Sequence, residues 1–297
     1  MPKKKSNKKM LFVINPISGD NDKISLEKEI KALLKPHSVD TEFYYTTGKN
    51  DRESISEIID EINPSTVVAI GGDGTCNLVA QTALHTPIKI GIVPLGSANG
   101  MATELNLPTD LEESLKLILA GKTRSIDVLR INKEHISLHL SDLGFNGQLI
   151  DVYEKGETRG LLSYAKSFID NFGNAAPAKF EIVCNGKNIS KEAFMVVLAN
   201  ASKFGTGAVI NPLGKPDDGY FEIVVMRPQN FMHFLEMLVP FYTSKIHTLD
   251  FVDTYKCQRV KIKNQKKQSL QIDGEKIGQP LQVDVEILPR SLEVIVP

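Results

Sequence analysis

Residues 66–84 read TVVAIGGDGTCNLVAQTAL. A run of β-branched and apolar residues stops at Gly71, Gly72, Asp73 and Gly74 and passes at once into helical-looking sequence. The run is a strand buried on both faces. Glycines at its end let backbone N–H groups approach an anion closely and adopt positive φ without penalty. A helix starting near Thr75 adds its positive dipole end, which suits the turn to phosphate. Thr75 caps that helix or donates to a phosphate oxygen. Asp73 repels phosphate by itself. It makes sense holding Mg²⁺, a bound water or a proton in transit, and its replacement should cost activity while leaving the fold intact. The plain alternative is a tight strand–helix turn.

The same alternation extends outward. LFVI (11–14) is a short apolar run closed by Asn15-Pro16, and TEFYY (41–45) and IKIGIV (88–93) are further strands. Between them, Leu26, Ile30, Leu33 and Leu34 keep helical spacing ahead of Pro36. Ile55, Ile58, Ile59 and Ile62 line one helix face. Thr109 with Glu112 forms a capping box ahead of Leu111, Leu115, Ile118 and Leu119, and Gly121 closes that helix. Such alternation builds a parallel sheet covered on both faces, and ligands bind beyond the carboxyl ends of its strands. NPISG (15–19) and GGDGT (71–75) both fall at such ends.

Near residue 128 the rhythm changes to strands: HISLHL (135–140), KFEIVC (179–184), AFMVVLA (193–199), YFEIVVM (220–226), RVKIK (259–263), SLQI (269–272) and LQVDVEIL (281–288). Asn185-Gly186, Asp218-Gly219 and Asp273-Gly274 supply hairpin-turn chemistry. Two helices interrupt the series, one carrying Leu161, Ala165, Phe168, Ile169 and Phe172, the other spanning about Gln229 to Tyr242. The expected architecture is a doubly wound parallel α/β domain over 11–128, followed by an antiparallel β-sandwich over 129–288. Residues 1–10 form a disordered basic tail.

With 41% hydrophobic and 24% charged residues and a net charge of −1, the chain reads as globular, and no global field points to nucleic acid. Lys3, Lys4, Lys5, Lys8 and Lys9 crowd the N-terminus, as a solvated tail or a tether to anionic lipid. Three cysteines, Cys76, Cys184 and Cys257, fit neither a zinc site nor a disulfide framework, which implies a reducing compartment. LFVI is too short for a secretory apolar region, and no apolar run reaches spanning length. The expectation is a cytoplasmic protein, peripheral at the inner membrane face.

Neither GxxxxGK[ST] nor GxGxxG is present. GGDGT resembles the phosphate loop shared by diacylglycerol kinases, sphingosine kinases, NAD kinases and phosphofructokinases. NPISG resembles the NPxSG opening of the diacylglycerol kinase catalytic domain, and PLGSANGMA (94–102) its PxGTxNDFA segment. RSIDV (124–128), LGFNG (143–147), DDGYFE (217–222), DGEKI (273–277) and the closing EILPRSLEVIVP follow in the family's order. The last of these implies a C-terminal strand (about 289–297) that returns to the first domain. Ser97 keeps the family threonine's hydroxyl. Gly100 replaces an aspartate, a change that sphingosine kinases share, and Glu222 replaces the last aspartate of DGxLD.

The resemblance implies a lipid kinase using ATP and Mg²⁺. The nucleotide would meet Asn15, Pro16, Ser18, Gly19, Thr46, Gly71, Gly72, Asp73, Gly74, Thr75, Asn77, Ser97 and Asn99. Glu275 would be the general base, supported by Asp73 and Asp127, and Asp218 with carbonyls near Lys215 and Tyr220 would hold a second Mg²⁺. On their own residues, Glu275 is equally a hairpin tip, Asp127 an acid after a strand and Asp218 part of a type I′ turn. Cys76, at a helix start, reads as a packing residue. Asp151 and Glu154 meet either a lipid headgroup or solvent. NFMHFLEMLVPFY (230–242) is apolar almost all round and belongs to the core or to an acyl-chain groove. Lys256, Arg259, Lys261, Lys263, Lys266 and Lys267 form a basic stripe that faces solvent or an anionic membrane. Expected partners are a lipid substrate and a membrane surface, and a homodimer is compatible with the reading. The rival functions are an NAD-kinase-like phosphotransferase and a catalytically silent nucleotide or lipid sensor.

Overall fold

The computed structural model describes residues 8–18, 23–144, 177–205, 207–228 and 231–297. The basic residues before Lys8, Gly19, Asp151, Glu154, Phe145, Asn146 and Gly147 of LGFNG, and the helix expected around Leu161–Phe172 lie outside them. The chain divides into two compact units. One comprises the residues up to Ile126 with Ser291–Pro297, the other Asp127–Arg290.

In the first unit β1 (Lys8–Ile14), β2 (Val39–Tyr45), β3 (Thr66–Gly71) and β4 (Lys89–Pro94) pair in the order β2-β1-β3-β4, every pair parallel. β1 starts at Lys8, three residues before the expected Leu11, with Lys8 and Lys9 exposed. The end of the last strand of the chain adds to β4 in parallel, Glu293 opposite Lys89 and Val294 opposite Ile90. β3 is buried throughout, as a strand covered on both faces must be. The connecting helices are α1 (Lys23–Leu34), α2 (Asp51–Ile62), α3 (Asp73–Ala83), a short α4 (Gly100–Glu104) and α5 (Leu111–Ala120). α1 turns Leu26, Ile30 and Leu34 inward and α5 turns Leu115 and Ile118, and all pack with Phe12, Ile14, Val68 and Ile70. α5 is not capped by Thr109 with Glu112. Asp110 is its N-cap and accepts the Glu113 N–H at 3.0 Å, because its carboxylate stands one residue nearer the helix and reaches the free donor directly.

The second unit is antiparallel. One sheet is built on β16 (Gln282–Ile295), β13 (Arg259–Asn264), β8 (Ala178–Cys184) and β9 (Lys187–Ala193), with β5 (Thr123–Ile131) against β16 and β6 (His135–Ser137) against β5. The other runs β12-β11-β10-β7-β14-β15: Val252–Cys257, Phe221–Met226, Met195–Ala199, Leu140–Gly144, Leu270–Ile272 and Glu275–Gly278. Alternate residues such as Phe180 and Ile182 of β8, Val196 and Leu198 of β10 and Val283 and Val285 of β16 interleave in one core. This is how two sheets form a sandwich. Helix α6 (Phe231–Tyr242) lies between β11 and β12 in sequence and buries Met237.

The cysteines depart from the expectation. Cys184, at the end of β8, and Cys257, at the end of β12, form a disulfide with Cα atoms 6.1 Å apart. Their 73-residue separation carries no local signal, so only the folded strands reveal the pair. Cys76 is buried in α3 and packs as expected.

Glu222, the second residue of β11, is 4% exposed, and its Oε2 accepts the Asn211 amide at 2.6 Å. Burial raises its pKa against the lowering by Asn211 and Lys256. A carboxyl whose folded pKa is raised supports the fold fully below its unfolded value and loses that support as pH rises through the folded value. Glu222→Gln, which keeps the acceptor, should therefore gain stability over wild type as pH rises above the ordinary glutamate value of about 4.3 and match it in acid. Urea midpoints by circular dichroism read this, and identical pH slopes for the two proteins would contradict it.

Candidate active site

The nucleotide-loop candidates meet at the carboxyl edge of the parallel sheet. Consecutive strand ends are laced together: Thr46 donates its N–H to Ile14 O, Asn15 to Ile70 O and Leu95 to Gly71 O, at 2.9, 3.0 and 2.9 Å. This brings Asn15, Thr46, Gly71–Thr75 and the 95–100 loop into one row. Pro16 is exposed, Ser18 half-buried and Ser97 exposed. The Asn15 side chain accepts the Ile17 N–H, which shapes its own loop.

The glycines act differently from the expectation. None of Gly71, Gly72 and Gly74 has positive φ. What they provide is room. A Cβ on Gly71 would lie 2.3 Å from the Thr75 hydroxyl, and one on Gly96 would lie 2.4 Å from Gly72 Cα. The GGDGT and PLGSANG loops thus touch backbone to backbone. Asp73 completes the join. Its carboxylate accepts the N–H of Gly100 at 2.8 Å and of Met101 at 3.1 Å, capping α4 in trans. Asn99, at φ +50, folds its amide onto both polar atoms of Gly96. Asn77 accepts from Gln81. The first turn of α3 brings its backbone N–H groups to this edge, and Ser97 is exposed on the joined loop.

In the second unit the turn residues are joined by a buried chain of hydrogen bonds. Asp127 is fully buried. One oxygen accepts the Gly219 N–H at 2.6 Å and the other that of Arg290 at 2.7 Å. Burial raises its pKa, helped by the negative charges of Asp218 and Asp217 and opposed by the two backbone bonds. Asn200 donates to Asp127 O and Leu138 O at 2.8 and 2.9 Å. The Leu138 N–H in turn meets Asp273, whose carboxylate also takes Ser137 Oγ and the His139 N–H. Asp273 and Gly274, at φ +48 and +92, then turn the chain and leave Glu275 exposed at the start of β15. Asn200 was not marked by the sequence, and Asp273 was marked as a turn residue and not as an anchor. Only the DGE spacing hinted at the latter role.

The carboxylates expected to hold Mg²⁺ are already engaged. Asp218 accepts the Tyr220 N–H at 3.0 Å and pairs with Lys256 Nζ at 2.7 Å, and that ammonium lies 4.6 Å from the centre of the Tyr220 ring. The hydrogen bond to Asp218 raises the Lys256 pKa. Lys215 is exposed. Among the described residues no three His, Cys, Asp or Glu side chains cluster as a metal site. A Mg²⁺ at Asp218 would displace the Lys256 ammonium that pairs with it. The basic stripe is also partly neutralised, with Arg259 on Glu286 and Lys263 on Glu181.

Residues 9–131 match the diacylglycerol kinase catalytic domain, and residues 144–296 match the YegS C-terminal NAD kinase beta sandwich-like domain. The second match alone covers just over half of the chain, which therefore belongs to the YegS-type branch of the diacylglycerol kinase catalytic-domain family. A probable lipid kinase YegS of Escherichia fergusonii is 27% identical over 72% of each chain, and a probable lipid kinase YegS-like protein of Klebsiella pneumoniae is 26% identical over 91% of each. The fold matches that of a diacylglycerol kinase from Bacillus anthracis str. Sterne, with a TM-score of 0.76 at 19% identity over 99% of this chain and 98% of that one. A second structure from that organism reaches 0.81 at 22% identity over 99% of both chains.

The bonds of Asp73 revise the expectation that its loss would spare the fold. Asn at this position keeps one acceptor and turns an NH₂ toward the other N–H. Asp73→Asn should cost about 1–2 kcal/mol of stability in addition to its effect on activity. Thermal unfolding followed at the helical signal checks this, and an unchanged midpoint would show that the two bonds to α4 contribute nothing.

Proposed function

We propose that this chain is an ATP-dependent kinase that phosphorylates a lipid hydroxyl at a membrane surface. The observation that carries the reading is Glu275, a solvent-facing carboxylate on a turn anchored by buried hydrogen bonds, in a chain of this family. A general base must be held still and yet reach its proton. The lipid oxygen attacks the γ-phosphorus, its proton passes to Glu275, and the bond to the ADP oxygen breaks with its electron pair leaving on ADP. The start of α3 supplies N–H donors for the nucleotide phosphates, with Asn15, Ser18, Thr46 and Ser97 around them. Kinases take ATP as its Mg²⁺ complex.

Helix α6 supports a lipid acceptor. Met232, Leu235, Leu238, Val239 and Tyr242 recur along one side of it and are exposed, Val239 at 70%. Apolar side chains lined up toward water mark a surface for lipid or partner. No helix among the described residues is long and apolar enough to cross a bilayer. The membrane reading also draws on the basic N-terminus. Because Lys8 and Lys9 belong to β1, its test is deletion of residues 2–7, which should weaken binding to anionic vesicles at low salt without altering ATP affinity.

The deciding experiment is transfer of labelled phosphate from ATP to a panel of diacylglycerols and sphingoid bases in mixed micelles, with NAD included because the sandwich resembles that of NAD kinase. Label only in NADP would end the lipid reading. On the accepted lipid, Glu275→Gln should lower kcat about 10²- to 10⁴-fold and abolish the acid limb of the pH profile. A surviving acid limb would make Glu275 something other than the base.

A further inference from the structure

The turn bearing Glu275 has a second anchor, separate from Asp273. Gln271 of β14 is 2% exposed and Asp142 of β7 is fully buried, and the two lie opposite each other across the β7–β14 pair. Gln271 Nε2 donates to Asp142 Oδ2, and Gln271 Oε1 accepts the Gly274 N–H at 2.7 Å. A primary amide is the side chain that does both, offering a donor at one end and an acceptor at the other. Asp142 decides which end points where. Its Oδ2 is an acceptor, so it draws the NH₂ toward itself and leaves the carbonyl for Gly274.

The location makes the pair more than packing. Gly274 immediately precedes Glu275, at φ +92, and the β14–β15 register shifts between Leu270 and Gln271. Such irregularities in a ladder re-aim the side chains that follow. Asp273 ties the turn to residues 137–139, which fixes its place. Gln271 takes hold of the peptide N–H next to Glu275, which fixes its direction.

We propose that Gln271, oriented by buried Asp142, is a positioning residue that aims the Glu275 carboxylate at the acceptor hydroxyl. The proposal rests on the reading of Glu275 as the base. Misplacement of a catalytic group by about 1 Å costs about 10²-fold, which sets the expected scale.

Removing one partner strands the other inside the protein, so the test removes both together in Gln271→Met/Asp142→Leu, a replacement that buried pairs tolerate well. Asp142→Asn, which keeps an acceptor for Nε2, is the conservative control. In the double variant the Gly274 amide should exchange its hydrogen at least about tenfold faster, with the global unfolding midpoint little moved. On the lipid that accepts label in the micelle panel, kcat should fall about 10- to 100-fold with the KM for ATP unchanged, while Asp142→Asn stays near wild type. The decisive comparison is the cycle with Glu275→Gln. In that background the double variant should cause no further loss. Equal loss in both backgrounds, or unchanged Gly274 exchange, overturns the proposal while leaving the base reading intact. If Glu275→Gln itself leaves kcat unchanged, the base reading fails and takes the proposal with it.

Discussion

A carboxylate withdrawn from water must have its oxygens met by donors, or the fold does not tolerate its charge. Asp127 and Asp273 are placed under that constraint, and each meets it with backbone N–H groups from segments distant in sequence. Each therefore fixes where two pieces of chain stand. Asp127 seats the 217–220 turn and the bend at Arg290 together, and Asp273 seats its turn on the segment leading into β7. Asn200 joins the two arrangements through its single amide nitrogen. The geometry of the candidate chemistry in the sandwich is thus set by buried polar bonds more than by apolar packing, which is less directional.

In the parallel-sheet unit, the same result comes from bringing backbones close. Gly96 allows two loops to meet where a Cβ would collide with the Gly72 backbone, and Asp73 locks the meeting with two bonds to α4. The chain has Gly100 where the family carries an aspartate. At that position the backbone N–H of residue 100 is what Asp73 uses, and this bond is available whatever the side chain. The glycine therefore leaves that bond between the loops in place.

Much of this was legible from residue patterns. LFVI, TVVAI and IKIGIV declare buried strands because their apolar runs are continuous, and Asn185-Gly186 and Asp273-Gly274 declare turns because positive φ favours those residues. Strands missed include β7, β9, β12 and β15. KNISKEA and EKIG show mostly exposed faces and so carry little hydrophobic period to detect. GGDGT was readable as a strand–turn–helix junction, but the reason for its glycines was not, since their neighbours come from residues 95–100. Gln271, Asp142 and Asn200 were invisible for the same cause: an amide or acid inside a strand gains meaning only from a partner that folding supplies. The disulfide between Cys184 and Cys257 belongs with them.

The last strand has a consequence for how the molecule is assembled. Its first part pairs with β13 in the sandwich, whereas Glu293 and Val294 add to β4 in the parallel sheet. Most of the first unit is encoded at the front of the chain, but β4 receives its second neighbour only from residues made after the whole sandwich. During synthesis β4 is therefore an open edge, with backbone donors and acceptors available to any extended chain. Closing it requires a contact of very long sequence separation, the kind that slows folding. Chains that stop before Ser291 would hold most of both units and still expose that edge, which makes self-association, rather than unfolding, the expected fate of such fragments.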